Sequence, residues 1–238
     1  MKRNLPIVII AGVLILALGG GYILWQTSKK ATDQPFTQPT PTATATTQAS
    51  PTTTPISQQS PPPGPDSPHA RGNLSARVTL EEYGDYQCPS CGAVFHLLKT
   101  LEKDYDDKVR FVFRQYPLPG HKHALLAAHV AEAAALQNHF WEMHDMLYQN
   151  QQTWSVAEEA RPIFIQYAKD LGLDVDRFTK DIDSPEVAAR VTADVDRGKM
   201  VGVEGTPTIF INGQQVRPEV VTDDGLRLAL NYMLGKSK

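Results

Sequence analysis

The stretch that decides the fold is Glu82-Tyr83-Gly84-Asp85-Tyr86-Gln87-Cys88-Pro89-Ser90-Cys91, which contains the only two cysteines of the 238-residue chain. The cysteines come directly after a β-rich run and open an amphipathic run. A thiol at a helix N-terminus faces unpaired N–H groups and the positive end of the helix dipole, so its thiolate is favoured. Pro89 suits the first helical position, where a missing N–H costs nothing. The spacing therefore predicts thiol-disulfide chemistry.

Three other interpretations of the cysteine pair are weaker. A zinc site needs about four ligands, and histidines would have to replace the missing second cysteine pair. A structural disulfide across about four residues contributes only ~1.9 kcal/mol, against ~3 kcal/mol for a fifteen-residue loop. Two inert buried thiols would favour an apolar residue in place of Pro89 or Ser90. Redox activity is the favoured interpretation.

The segments around the pair predict a β-α-β unit. Residues 77–83 alternate and are rich in β-formers, which indicates a strand. Residues 91–104 place their apolar side chains on one broad helical face, and residues 109–113 give a second strand. Near the end of the chain, residues 205–216 predict two strands joined by a type I′ turn at Asn212-Gly213. Residues 223–234 then predict a closing helix, so the chain ends as β-β-α.

The middle of the chain predicts helices. Residues 121–201 are almost free of β-rich runs. Residues 124–136 are nearly all small or apolar, which indicates a closely packed, buried helix. Ser184-Pro185 is typical of a helix start, and Asp174 marks an earlier one.

Two further motifs accompany the cysteine stretch. They are Arg114-Gln115-Tyr116-Pro117-Leu118, followed by His121-Lys122-His123-Ala124, and Gly205-Thr206-Pro207-Thr208. With these motifs the sequence resembles the DsbA-like branch of the thioredoxin superfamily over residues 72–238. The resemblance implies an α/β, thioredoxin-like fold with a helical domain inserted at about residues 120–199.

The resemblance also implies roles for individual residues. Cys88 forms the mixed disulfide and Cys91 resolves it, while Glu82, six positions before Cys88, relays the proton of the resolving thiol from beneath the site. A buried carboxylate has a raised pKa, which suits that task near neutral pH. The alternative is that Glu82 is an exposed strand carboxylate, since Glu81 and Glu82 point to opposite faces.

Four residues are implied to bind the substrate chain: Thr206, Pro207, Pro89 and Ser90. In the family the proline at the position of Pro207 is cis and lies beside the redox cysteines, which the chemistry of X-Pro bonds allows. Family members that act as oxidases often carry histidine between the cysteines, whereas this chain has Pro89-Ser90. A serine hydroxyl brings no positive charge to the thiolate, so we expect a milder oxidant.

The sequence thus predicts an oxidoreductase that introduces disulfides into unfolded or reduced secreted proteins, with no cofactor and no metal. A quinone-linked membrane protein is the reoxidising partner that the family implies. A reductase or isomerase is the alternative direction. A tethered, non-catalytic peptide-binding or chaperone module is the alternative of another class.

The first 30 residues predict a membrane segment. Residues 5–25 carry no charge and, at about 1.5 Å per residue, are long enough to cross a ~30 Å hydrocarbon core. The run is longer than the ~7–15-residue apolar core of a cleaved signal peptide, so an uncleaved signal-anchor is favoured. Because redox disulfides belong in oxidising compartments, we expect a single-pass protein of the cytoplasmic membrane with its catalytic domain on the periplasmic or extracellular side.

Composition separates a tether from a folded unit. Residues 31–70 contain ten prolines and ten threonines and cannot bury a core, which predicts a disordered linker. Residues 71–238 are long enough for one core and constitute the predicted thioredoxin domain. They carry a net charge of −5, so their composition gives no indication of a basic surface that binds nucleic acid.

Overall fold

The computed structural model describes residues 69–236. The predicted anchor at residues 1–30 and the predicted linker up to residue 68 lie outside this part. Within residues 69–236, no helix combines the length and apolar character that a bilayer crossing requires.

The described residues form a mixed five-stranded sheet in the order β1-β3-β2-β4-β5. The strands are β1 Ala70–Gly72, β2 Val78–Gly84, β3 Val109–Gln115, β4 Thr208–Ile211 and β5 Gln214–Gln215. The central strand β2 runs parallel to β3 and antiparallel to β4. The edge strands β1 and β5 are antiparallel to β3 and β4.

Helices surround this sheet. They are α1 Pro89–Tyr105, α2 Ala124–Ala135, α3 Phe140–Gln149, α4 Gln151–Trp154, α5 Arg161–Asp170, α6 Val175–Ile182, α7 Pro185–Met200 and α8 Asp223–Lys236, with a 3-10 turn at Pro218–Val220. Helix α1 connects the parallel strands β2 and β3, and α2 to α7 occupy the place that the sequence predicts for the helical insertion. The fold is α/β and thioredoxin-like, as predicted.

The core lies on both faces of the sheet. On one face, α1 and α8 bury Leu98 and Leu226 against Leu80 of β2. Each such side chain contributes about 1.5–3 kcal/mol when fully buried. On the other face α7 approaches the sheet closely at Gly198, where a Cβ would come within 2.6 Å of the Tyr116 ring. The sheet therefore holds the β2–α1 junction rigidly between helices.

Local signals of the sequence act as predicted. The Ser184 hydroxyl accepts from the Val187 N–H at 3.2 Å at the start of α7. Asp174 does the same for Arg177 at the start of α6, at 3.0 Å. Asn212 has φ 49° and Gly213 φ 76°, which is the pair of positive values that a type I′ hairpin requires.

The boundary between linker and fold differs from the prediction. Ala70, assigned to the linker by composition, belongs to β1 and pairs with Val112. His69 is also buried: its ring stacks on Phe140 with centroids 3.4 Å apart, and its Nε2 lies 2.7 Å from Glu132 Oε1. A three-residue edge strand leaves too short a pattern for recognition from sequence, so the prediction placed the boundary too late.

Candidate active site

Both cysteines lie at the start of α1, just beyond the C-terminal end of the central strand β2. Cys88 is the N-cap and Pro89 stands in the first turn, as predicted. The two thiols are not joined in this structure. Cys88 keeps 6% of its surface exposed, whereas Cys91 has none. Of the two sulfurs, only that of Cys88 is open to another chain.

The Cys88 thiol is strongly acidified, with a pKa lowered to about 5. The hydrogen bond from the Cys91 thiol is the largest cause, and burial opposes it. The Thr206 hydroxyl and the backbone N–H groups of Cys91 and Ser90 add to the lowering. Thr206 Oγ1 is buried with no other hydrogen-bond partner, so it is available to the sulfur. At neutral pH, Cys88 is therefore a thiolate, which is both a nucleophile and a good leaving group.

The Cys91 thiol behaves in the opposite way. Burial raises its pKa well above the ordinary value, and its hydrogen bond to Cys88 and the charge of Glu82 act in the same direction. A thiol of this kind attacks only if a nearby group accepts its proton.

Glu82 is buried in the centre of the sheet, between Phe113 of β3 and Ile209 of β4. Burial raises its pKa to about 8; the charge of Glu102 adds to the shift and that of Arg71 opposes it. Its Oε1 has no hydrogen-bond partner. The alternative of an exposed strand carboxylate is therefore wrong.

Glu81 shows the contrast on the other face of the sheet. Its carboxylate accepts from Arg114 Nε at 2.8 Å. The two adjacent glutamates thus face different surroundings, because side chains alternate along a strand.

A groove of about 700 Å³ lies beside the thiols. Ser90, Thr206 and Pro207 line it, and the Thr206-Pro207 peptide bond is cis, as the resemblance implies. The Cys88 sulfur lies 3.4 Å from the Thr206 carbonyl oxygen, which places the reactive atom next to the groove wall. Pro89, the fourth predicted substrate-binding residue, is exposed and does not line the groove.

Asp85 shapes the loop before Cys88 and was not predicted from the sequence. Its buried carboxylate accepts from the backbone N–H of Gln87 at 2.7 Å and of Leu118 at 2.9 Å, and lies 2.6 Å from His121 Nδ1. Aspartate in turns commonly accepts a hydrogen bond from the backbone N–H two residues later, so the contact with Gln87 could have been predicted from Asp85-Tyr86-Gln87.

Gln151 of α4 is the second residue that sequence reasoning missed. Its Nε2 donates to the carbonyl oxygens of Tyr86 at 2.7 Å and Cys88 at 2.8 Å. In the opposite direction, Gln87 Nε2 of the loop donates to the Ser155 carbonyl oxygen at 3.0 Å. Two side-chain amides, one from each side, thus join the redox loop to the helical insertion. Their partners are more than sixty residues apart in sequence, so no local pattern could indicate these contacts.

Potential metal ligands do not cluster in the described part of the chain. Among residues 69–236, no group of three or more Cys, His, Asp or Glu side chains is arranged to hold a metal ion.

The fold and the thiol pair at the start of α1 define a domain of the thioredoxin superfamily with a two-cysteine site. The sequence model of the family Thioredoxin_4, described as thioredoxin, matches residues 65–231, and the chain belongs to this family.

Solved structures of DsbA-type proteins are similar to this chain. Oxidised BdbD from Bacillus subtilis is 25% identical, with a TM-score of 0.63 over 70% of this chain and 92% of that one. The thiol-disulfide exchange protein alpha-DsbA2 from Wolbachia pipientis is 23% identical, with a TM-score of 0.60 over 69% and 86%. DsbA from Xylella fastidiosa is 22% identical, with a TM-score of 0.57 over 71% and 91%.

Curated relatives include much longer proteins. One named Na(+)/H(+) antiporter NhaA 3, from Salinispora tropica, is 43% identical over 153 residues, which cover 63% of this chain and 22% of the relative. A second, from Salinispora arenicola and named Na(+)/H(+) antiporter NhaA 1, is 42% identical over the same length. The chain thus spans about a fifth of the curated relatives that it matches.

Proposed function

We propose that this protein is an oxidase that transfers its Cys88–Cys91 disulfide to reduced or unfolded proteins outside the cytoplasm. The observation that carries the proposal is the pKa of Cys88, lowered to about 5, in a sulfur that contacts the cis-proline loop. A stabilised thiolate favours the reduced form of the pair, and a pair whose reduced form is favoured is a donor of disulfides.

Each site residue has a role in this reaction. A substrate thiolate attacks the Cys88 sulfur of the enzyme disulfide, the S–S bond breaks, and Cys91 leaves and takes the proton of Glu82. A second substrate thiolate then attacks the substrate sulfur of the mixed disulfide. The substrate disulfide forms, and Cys88 leaves as a thiolate with the electron pair. Both cysteines end reduced, so an external oxidant must regenerate them.

The substrate chain lies in the groove beside Cys88. Thr206 and Pro207 line it next to the sulfur, and Ser90 of α1 also lines it. We assign Pro89 the lesser role of starting α1, because it stands in the first turn of that helix and does not line the groove.

The first test is the reduction potential of the Cys88–Cys91 pair in the full chain, equilibrated with glutathione redox buffers. An oxidase gives a value near ~−120 to −180 mV. A value near ~−270 mV overturns the direction and assigns the protein as a reductase.

The second test separates catalysis from peptide binding. In a Cys88→Ser variant we expect loss of oxidative-refolding activity on a reduced model protein, because the atom that forms the mixed disulfide is gone. Full activity of the variant would contradict the redox role. A binding module would retain both its partner affinity and its effect on aggregation.

The proposed setting is the outer face of the cytoplasmic membrane. The uncharged run at residues 5–25 supplies the anchor, residues 31–68 the tether, and a quinone-linked membrane protein the oxidant. The protein should stay with membranes after an alkaline wash, and external protease should release the catalytic domain from spheroplasts. Recovery in the cytosolic fraction would overturn this placement.

A further inference from the structure

A small cavity lies between the sheet and α1, directly against Glu82. Its volume is about 20 Å³, and its wall includes Glu82, Arg71, Glu102 and His144. A site of at least ~10–15 Å³ with polar partners is large enough for one water molecule. The Oε1 atom of Glu82 is fully buried and has no partner among the described residues. A water in the cavity would supply the hydrogen bond that this oxygen does not receive from the described residues.

The other end of the cavity reaches the protein surface. Arg71 Nε donates to Glu102 Oε1 at 2.7 Å, and these side chains keep 19% and 15% of their surface exposed. Asp145 extends the cluster: it accepts from Lys99 at 2.7 Å and lies 3.3 Å from Arg71. The cluster therefore has one edge in the cavity wall and another in solvent.

We infer that a water in this cavity and the carboxylate of Glu102 form the path by which protons pass between Glu82 and solvent. Glu102 is thus a positioning residue for the resolving half of the reaction. This inference rests on the proposed function of Glu82 as the proton partner of Cys91.

The need for such a path follows from burial. Cys91 has no exposed surface and Glu82 almost none, so a proton that passes between them has no direct exit. When Cys91 is a leaving group, Glu82 gives its proton to the sulfur and regains one through the water. When Cys91 attacks, the proton moves the opposite way. No electrons move along the path, since they stay with the sulfurs.

The other polar groups of the wall are less suited to this role. Arg71 has donors only and keeps its charge. His144 is buried, its Nδ1 lies 3.1 Å from Asp145, and burial lowers its pKa to about 4. Glu102 combines an acceptor oxygen with partial exposure, and burial raises its pKa above the ordinary value although Arg71 and Lys99 oppose the shift.

The test follows the reduced full chain as it reacts with an aromatic disulfide that releases a coloured thiolate. The first equivalent appears when Cys88 attacks, and the second when Cys91 loses its proton and displaces the remaining aromatic thiolate. The rate of the second phase is measured against pH and buffer concentration. The variants are Glu102→Gln, Glu82→Gln and both together. Glu142→Gln on α3 is the matched control, since it removes the same charge from an exposed side chain.

The path predicts a second phase slowed about tenfold in Glu102→Gln, across the pH profile, and partly restored by concentrated small buffers. The first phase should not change. The double variant should be no slower than Glu82→Gln, because the two groups act in series, and Glu142→Gln should match the parent protein.

Two outcomes overturn the inference differently. If Glu82→Gln slows the second phase but Glu102→Gln only shifts the pH profile at an unchanged plateau, Glu102 acts through its charge alone. The path then fails, and the role of Glu82 stands. If Glu82→Gln leaves the second phase unchanged, the proposed role of Glu82 fails, and the path with it.

Discussion

Cys88 and Cys91 are one helical turn apart, yet their pKa values move in opposite directions. Cys88 accepts hydrogen bonds from Cys91, from Thr206 and from the start of α1, which favour its thiolate. Cys91 is buried and is the donor in this contact, so its proton is held. The asymmetry supports the proposed roles, in which the Cys88 sulfur forms the mixed disulfide and the Cys91 sulfur resolves it.

Thr206→Val tests the hydroxyl contribution to this asymmetry. The variant keeps the side-chain shape but removes the donor to the Cys88 thiolate, so the pKa of Cys88 should rise by roughly one to two units. The ultraviolet absorbance of the thiolate, titrated with pH, measures it. Thr179→Val, which loses only a hydroxyl contact within α6, is the control. An unchanged pKa in Thr206→Val would assign the lowering to the Cys91 thiol and the backbone N–H groups.

Glu82→Gln tests the cost of the buried carboxylate. The folded-state pKa of Glu82 is raised from 4.5 to about 8, so its ionisation destabilises the fold as pH rises from 4.5 towards 8. The variant cannot ionise, so its free energy of unfolding should exceed that of the parent by a few kcal/mol at pH 8. Urea denaturation of the reduced proteins at several pH values measures the difference.

That experiment contains its own control. At pH values below 4.5 both side chains are neutral, and the two proteins should be nearly equal in stability. A difference that does not change with pH would show that the carboxylate is not the cause.

Sequence reasoning selected the candidate reactive residues but not the residues that hold them in place. The Cys88-Pro89-Ser90-Cys91 spacing and the position of Glu82 are local patterns, and the structure places them together. Asp85, Gln151 and Glu102 act through contacts across the fold. The turn contact of Asp85 with Gln87 follows a local pattern, but the long-range contacts of all three residues do not, so no local pattern indicates them.

The start of α1 is the element on which the site depends, and the insertion holds it. A Cβ at Gly92 would collide with Gln151 Oε1, so α4 packs directly on the first turn of α1. The amide of Gln151 satisfies two buried carbonyl oxygens of the loop. The element that carries the thiols is thus fixed from outside the thioredoxin core.

Gln151→Ala should lower the free energy of unfolding by about 1–3 kcal/mol, because it leaves the carbonyls of Tyr86 and Cys88 buried without a donor. Urea denaturation measures the loss. Gln166→Ala on α5, where the amide contacts only exposed Asp170, should change stability by less than about 0.5 kcal/mol. Equal effects of the two substitutions would contradict the stabilising role of the two Gln151 hydrogen bonds.

At the level of elements, long patterned segments were predictable and short ones were not. The strand predicted at residues 77–83 is β2 at Val78–Gly84, and the closing helix is α8. Strand β1 has three residues and depends on pairing with β3, so its sequence carries too little periodicity to indicate it. Helix caps and alanine-rich runs predicted helices in the insertion, but these local signals did not predict how the helices pack together.

For the molecule as a whole, reduction of the disulfide should stabilise the fold, and pH should control by how much. The pKa of Cys88 falls from its ordinary 9 to about 5 on folding, so the contribution of its thiolate shrinks as pH falls from 9 and is lost below 5. Denaturation of reduced and oxidised protein between pH 8 and pH 4 measures the difference. A gap that is constant over this range would contradict a stabilised thiolate.

The buried ring of His69 sets a limit on where the protein can be shortened. Its main-chain carbonyl accepts from Phe113 N–H at 3.1 Å, and its side chain lies against Glu132 inside the helical insertion. A recombinant fragment that starts at Arg71, where composition changes, would lose these contacts and the first of the three residues of β1. We expect it to be less stable than one starting at Pro65 by about 2 kcal/mol, measurable by thermal melting. Truncation for assay or crystallisation should therefore follow the contacts of His69 and β1 rather than the change in composition along the chain.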